Sequence, residues 1–291
     1  MELRNLETFV RVCENMSFSK AAEQLGYAQS TVTAQISQLE DELGTKLFDR
    51  IGKKFSLNEK GEELLRYANQ LTALAQEAQQ QLSDTQAVNG FLRIGTFESI
   101  STCFLPPVLA DYVRRFPDVR ISVSTGTGDA IREMLHQNQI DLMLVLDKKL
   151  YDPDWSCAWE KEESLVFLCA PQHPFAGCEH LALSEVLAER MILTERQCNY
   201  RRAFEQSCAV CELLPRAALE IGSIHTILDM TAQNLGICVL PYFAARKALE
   251  TGMVAEFKIK DMEIRMKFQL IYRKSKWLSP AAKAFCECLN M

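Results

Sequence analysis

The chain has 291 residues, long for one core at roughly 100–200 residues per domain, so two or three units are expected. Hydrophobic residues at 48% and charged residues at 24% exclude a disordered or fibrous chain. A formal charge of −6 argues on its face against a partner as negative as nucleic acid.

No apolar run approaches the ~20 residues a bilayer needs, and Met1-Glu2-Leu3-Arg4-Asn5 has no basic stretch leading into an apolar one. A soluble, cytoplasmic chain with no membrane partner is expected. The 11 cysteines are odd in number and scattered from Cys13 to Cys288, which fits reduced, buried thiols better than a disulfide framework. The charge is unevenly distributed: 8 basic against 9 acidic residues in 1–60, 1 against 4 in 61–90, and 23 against 25 in 91–291. Between Lys46 and Lys60, five basic residues (Lys46, Arg50, Lys53, Lys54, Lys60) face only Asp49 and Glu59, a local balance of +3.

Leu6, Phe9, Val10 and Cys13 fall on one helical face and predict a helix ending near Asn15. Ser19 is a plausible cap for a second helix from Lys20 to Leu25, with Ala21, Ala22 and Leu25 inward and Gly26 as its stop. Ser30 opens a third, whose Val32, Ile36, Leu39 and Leu43 repeat with helical period until Gly44. Two short helices across a tight glycine turn make a helix-turn-helix candidate. Off the apolar stripe, the third helix carries Ser30, Thr31, Thr33, Gln35, Ser37 and Gln38, side chains suited to base edges and phosphates. A merely solvated face would more typically carry Lys and Glu.

Leu47-Phe48-Asp49-Arg50 and Phe55-Ser56-Leu57, with Gly52, Lys53 and Lys54 between them, read as a basic hairpin or wing. A long polar helix follows, capped by Asn58, with Leu64, Ala68, Leu71, Ala75, Ala78 and Leu82 at heptad-like spacing. That stripe either pairs with another chain or packs on its own domain. From Phe91 the pattern turns to alternating strands and helices. Strand-like runs are Leu92–Ile94, Val119–Val123, Ile140–Leu146, Ser164–Cys169, Met191–Leu193, Ala218–Ile221, Gly236–Leu240 and Phe268–Tyr272, predicting an α/β domain with largely parallel sheets.

The runs Leu6-Glu7-Thr8-Phe9, Ser17-Phe18-Ser19-Lys20-Ala21-Ala22-Glu23-Gln24-Leu25, Gln29 to Ile36, Leu39-Glu40-Asp41-Glu42-Leu43-Gly44 and Leu47-Phe48-Asp49-Arg50 resemble the N-terminal region of LysR-type transcriptional regulators. The resemblance implies an α+β multidomain chain: a winged helix-turn-helix over 1–58, a linker and dimerisation helix over 59–90, and an effector-binding domain over 91–291. That last domain would have the two-lobed α/β fold of type 2 periplasmic binding proteins, with lobe 1 at about 91–161 and 268–291 and lobe 2 at about 162–267. It also implies a homo-oligomer, commonly a dimer of dimers, on partly palindromic double-stranded promoter DNA, with RNA polymerase as a further partner of an activator. Carried over by position, the DNA contacts are Ser30, Thr31, Thr33, Gln35 and Gln38, with Arg50, Lys53 and Lys54 of the wing. Ala34 departs from the pattern, since many relatives have arginine or another polar residue there.

In open parallel sheets ligands bind beyond the carboxyl ends of strands. This selects the loops around Glu98-Ser99, Thr127, Asn199-Tyr200 and Ser223, which also resemble effector-cleft positions of the family. Each hydroxyl alone is more simply an ordinary helix cap, and it is the convergence of four such loops that selects the cleft. Glu98 suits an ammonium and Arg201 a carboxylate, so an amino-acid-like effector satisfies both, and an ion pair involving either residue is the alternative. Cys198 and Cys208, with Cys211 close by, resemble the layout of the family's peroxide-sensing branch and raise a thiol redox alternative. Cys208 and Cys211 have no second pair at metal spacing, and His136, His173, His180 and His225 are dispersed, so no metal and no cofactor are expected. No nucleophile elbow, Ser/His/Asp signature or phosphate loop is present, which predicts no enzyme activity. A small-molecule-binding protein without a regulatory role remains the other class.

Overall fold

The computed structural model describes residues 1–51, 54–82, 88–260, 262–276 and 278–290; for Arg50, Ile51, Lys54 and residues 73, 76, 77 and 79–82 it describes the backbone alone. The chain forms two compact units, one of Met1–Ala87 with Met134–Ile140, the other of Val88–Glu133 with Asp141–Met291.

The first unit contains α1 (Leu3–Asn15), α2 (Phe18–Leu25), α3 (Gln29–Leu43), β1 (Phe48–Ile51), β2 (Lys54–Leu57) and α4 (Glu59–Leu82). α2 is capped by Ser17, whose side chain accepts from the Lys20 amide, so Ser19 lies inside the helix rather than at its cap. α3 likewise begins one residue before Ser30, with Ala28 at the cap position and no side-chain bond there. At α2 the cap moved because Ser17 and Ser19 offer two hydroxyls within three residues, whereas α3 begins without any side-chain cap. Leu6, Phe9, Val12, Val32, Ile36 and Leu39 close the core, each contributing about 1.5–3 kcal/mol by leaving water. Phe48 and Phe55 of the β1–β2 pair stack at 4.5 Å and meet Phe18 and Phe9, fixing the wing on the helices.

The α4 stripe divides. Leu64 and Ala68, expected at a dimer seam, are buried in the unit's own core. Leu71 and Ala78 are exposed and Ala75 is half-buried, while the Leu82 side chain lies outside those described. With Tyr67 and the 60%-exposed Leu74, the outward apolar row runs Tyr67, Leu71, Leu74, Ala78. The first turns of α4 seal the domain, and the same helix then presents a different face.

The second unit holds β3 (Gly90–Thr96), α5 (Glu98–Cys103), α6 (Leu105–Arg115), β4 (Val119–Thr125), most of α7 (Gly128–His136, whose residues from Met134 on count with the first unit), β5 (Leu142–Asp147) and β6 (Trp155–Cys169). Then follow α8 (Leu183–Ala188), β7 (Met191–Leu193), α9 (Asn199–Val210), β8 (Ala217–Glu220), α10 (Ile224–Ala232) and β9 (Ile237–Pro241). The chain finishes with α11 (Tyr242–Glu250), β10 (Ala255–Phe257), β11 (Arg265–Arg273) and α12 (Pro280–Leu289). Among the described residues the strand order is β4-β3-β5-β11-β6-β9-β7-β8, with β10 beside β6.

The expectation of largely parallel sheets holds for the outer strands: β3 runs parallel to β4 and β5, and β7 to β8 and β9. The middle is antiparallel. β11 pairs antiparallel with β5 and with the first part of β6, and β6 pairs antiparallel with β9 and β10. β6 starts nine residues before the apolar run Ser164–Cys169, because its first part carries Glu160, Lys161, Glu162 and Glu163 against Arg265 and Lys267 of β11. The chain passes from one half of the sheet to the other at Ser164–Leu165 and returns at Ile264–Arg265, where the Leu165 amide donates to the Ile264 carbonyl at 2.9 Å.

Candidate functional site

Two surfaces carry the chemistry, one in each unit. On the first, Val32, Ile36 and Leu39 hold α3 against the core while Ser30, Thr31, Thr33, Ala34, Ser37 and Gln38 face outward. Ser19 donates to the Gln29 side-chain oxygen at 3.0 Å, tying α2 to the start of α3. Gln35 is only half-exposed: its side-chain oxygen accepts the Thr8 hydroxyl at 2.8 Å, which turns it toward α1 and away from the outward row. Gln38 donates to Glu42 at 3.4 Å, a long bond that a competing acceptor replaces at little cost. Tyr27, exposed in the turn, was not singled out from the sequence; the signal was an aromatic residue inside a helix-turn-helix turn.

The wing is held from beneath. Glu40 is buried, accepts the Leu47 amide at 3.0 Å and pairs with Lys46 at 2.6 Å, so the first of the three acidic residues ending α3 is an anchor rather than a solvated charge. Asn58 donates to the Lys46 carbonyl and accepts from the Gly61 amide, both at 2.9 Å, capping α4 as its sequence predicts. Lys53 lies outside the described residues, and the side chains of Arg50 and Lys54 are not described.

In the second unit a cavity of about 330 Å³ opens at the carboxyl ends of β3, β4 and β7. Glu98 and Ser99 after β3, Thr127 after β4, and Asn199 and Tyr200 at the start of α9 all line it. Phe97, Leu146, Glu195, Gln197 and Cys198 complete much of the wall and were not named from the sequence. Gly222 lies close beneath Glu195: a Cβ there would lie 2.8 Å from the Glu195 carboxylate oxygen, so the Glu195 side chain would have to shift. Asn199 donates to the Asp147 carboxylate at 2.9 Å and accepts from Arg202 at 2.7 Å, linking α9 to β5. Thr127 caps α7 by accepting the Ala130 amide at 3.4 Å. Tyr200 is buried with its hydroxyl beside Cys198 and Ser99, and burial raises its phenol well above the ordinary value, so it is a neutral donor at physiological pH.

Two expected contacts are absent from the cavity wall. Arg201 is 4% exposed and its guanidinium is engaged by Glu205 and Glu220 at 2.8 Å each and by the Thr194 carbonyl. It braces β7, β8 and α9, because its side chain leaves α9 on the face toward the sheet. Ser223 caps α10 by accepting the Thr226 amide, and its neighbour Gly222 is the wall residue instead. The structure does not bring the two thiols of the redox alternative together. Cys198 and Cys208 are ten residues apart along one continuous helix, about 15 Å at 1.5 Å per residue, whereas a disulfide needs Cα atoms within roughly 7 Å. Cys208 is fully buried, and desolvation pushes its thiol up to about 12. Among the described residues no three His, Cys, Asp or Glu side chains gather at metal-binding distance, and no helix is long and apolar enough to cross a membrane.

A winged helix-turn-helix in one unit and a ligand-sized cleft in the other define a DNA-binding protein equipped to sense a small molecule. Residues 3–62 match the family described as bacterial regulatory helix-turn-helix protein, lysR family, and residues 85–291 match the LysR substrate binding domain. The uncharacterized HTH-type transcriptional regulator YwqM of Bacillus subtilis (strain 168) is 32% identical over 288 residues, 99% of this chain and 98% of that protein. Among solved structures, full-length OxyR from Pseudomonas aeruginosa superimposes with a TM-score of 0.76 at 21% identity, covering 100% of this chain and 95% of that one. CbnR in complex with its target DNA gives 0.69 at 22% identity, covering 100% and 99%. The chain belongs to the LysR family of transcriptional regulators.

Proposed function

We propose that this regulator reads promoter DNA with the outward face of α3, as a homo-oligomer, and that a small effector in the 330 Å³ cavity biases the oligomer between two arrangements on DNA. The observation that carries the reading is the α3 face itself: Ser30, Thr31, Thr33 and Gln38 stand together on a helix whose opposite side is fully committed to the core. Ala34 in their midst offers a methyl contact of the kind thymine accepts. Tyr27 joins them at the turn, and the basic wing residues Arg50, Lys53 and Lys54 supply phosphate contacts. Gln35 acts by holding α1 and α3 in register.

Oligomerisation is assigned to the outward row Tyr67, Leu71, Leu74 and Ala78, which is exposed among the described residues of its own unit. Two copies joined there present two α3 helices and two wings at once, which compensates for a chain whose total charge is −6. The test is a gel shift of the full chain with the region upstream of its own gene. A discrete retarded band that survives excess unrelated DNA is expected; absence of any band across protein concentrations at low salt refutes the proposal.

A further inference from the structure

We propose that the cleft takes a ligand bearing a protonated amine together with an oxyanion, a zwitterion of amino-acid size, and that it rejects dicarboxylates. This rests on the cleft being the effector site. Glu98, at the start of α5, and Glu195, in the loop after β7, both line the cavity and both are exposed. Among the described residues neither side-chain carboxylate has a hydrogen-bond or ion-pair partner. Among the described residues no lysine, arginine or histidine lines the cavity, and Arg202 stands behind the wall on the Asn199 side-chain oxygen at 2.7 Å. Arg201, the one cation the sequence placed there, is consumed by Glu205 and Glu220. Two unpaired carboxylates without a countercharge attract a cation, and a dianion entering the same space meets repulsion from both.

The cavity offers the complementary half as well. Gly128 opens the nine-residue α7 and Asn199 the twelve-residue α9, and both line the cavity, so first-turn backbone N–H groups that have no partner within their helices face it; the Cys198 amide just before α9 is already taken by the Glu195 carbonyl at 2.9 Å. The neutral hydroxyls of Ser99 and Tyr200 add donors suited to a carboxylate. Phe97 and Leu146 give a short aliphatic portion something to rest on. A zwitterion satisfies the acidic and the donor-rich groups together.

Cys198 provides a reporter inside the cavity, and the exposed Cys211 at the other end of α9 provides a reference. The full chain is treated with a trimethylammonium-ethyl or a sulfonatoethyl methanethiosulfonate. Each thiolate attacks the sulfenyl sulfur, forms a mixed disulfide and expels methanesulfinate, and peptide mass spectrometry reads the rate at each site. After normalisation to Cys211, the cationic reagent should be favoured at Cys198 by about tenfold, falling toward unity in the E98Q/E195Q double variant. In parallel, thermal shift of the full chain is recorded with each common L-amino acid, succinate and glutarate. At least one amino acid should raise the midpoint of the wild type, with about tenfold weaker apparent affinity in E98Q/E195Q. Equal or reversed labelling, or stabilisation by succinate or glutarate and by no amino acid, overturns the proposal. A failed gel shift refutes the regulatory reading and leaves the labelling ratio unaffected, so the two failures are distinguishable.

Discussion

Gly61→Ala separates two lines of reasoning that predict opposite signs. Helix propensity alone favours alanine over glycine by about 1 kcal/mol in a helix interior. At this position, however, a Cβ would lie 2.2 Å from the Leu47 carbonyl oxygen and 2.6 Å from Leu57 Cδ1. The carbonyl cannot retreat freely, because it accepts the Asn58 amide at 3.1 Å and the Leu47 amide is itself held by Glu40. Overpacking costs about 1–3 kcal/mol and weakening one such hydrogen bond about 0.5–1.5 kcal/mol. Less the propensity gain, the net is a destabilisation of about 1–3 kcal/mol in the first unit. Trp155, Trp159 and Trp277 all lie in the sequence of the second unit, so their fluorescence reports that unit while far-ultraviolet circular dichroism reports both. Urea unfolding should show the dichroism transition that fluorescence does not report moved down by about 1 M, with the fluorescence transition unchanged. An unmoved or raised transition of that kind would refute the close approach of α4 to the base of the wing.

Other consequences are equally specific. Glu40→Ala removes the acceptor of the Leu47 amide and should cost about 1–3 kcal/mol, with DNA affinity measured by anisotropy falling as the wing loosens. Arg201→Ala should destabilise the second unit by about 2–4 kcal/mol in denaturant titrations, since it leaves the Thr194 carbonyl and two carboxylates without their partner. Burial alone would raise the Asp141 carboxyl, but Arg93 and Lys276 outweigh it and hold it below the usual range. Its contribution is therefore complete above about pH 4 and is lost as pH falls through the depressed value, so the stability gap between wild type and Asp141→Asn should close in acid. Replacing Leu71 and Leu74 together by Glu should lower the sedimentation mass and weaken DNA binding while leaving the circular dichroism spectrum intact.

The helices of the first unit were legible because their apolar residues repeat every three or four positions and their stops are Gly26 and Gly44. The exact caps were not, since Ser17 and Ser19 differ only in which hydroxyl reaches a free amide. The first part of β6 was hidden by its charges, which pair across the sheet with Arg265 and Lys267 instead of facing a core. Five of the seven residues selected for the cleft line it, because the rule about strand carboxyl ends selects loops correctly. The rule cannot tell which way a side chain leaves a helix. Arg201 follows Tyr200 by one residue, and that 100° rotation is the difference between a cavity wall and a buried brace. The α4 stripe was legible only as an apolar face: a heptad spacing does not say whether its own domain covers it, as at Leu64 and Ala68, or leaves it outward, as at Leu71 and Ala78.

The most direct test of the account is a fluorescence anisotropy titration of the full chain at physiological salt, comparing the region upstream of its own gene with a scrambled fragment of equal length. The expected result is a preference of about a thousandfold for the wild type, reduced at least tenfold when Thr31 and Gln38 are both replaced by Ala, with binding to the scrambled fragment little changed. A Thr31→Ala/Gln38→Ala variant that folds and discriminates as well as the wild type would contradict the assignment of sequence reading to the outward face of α3.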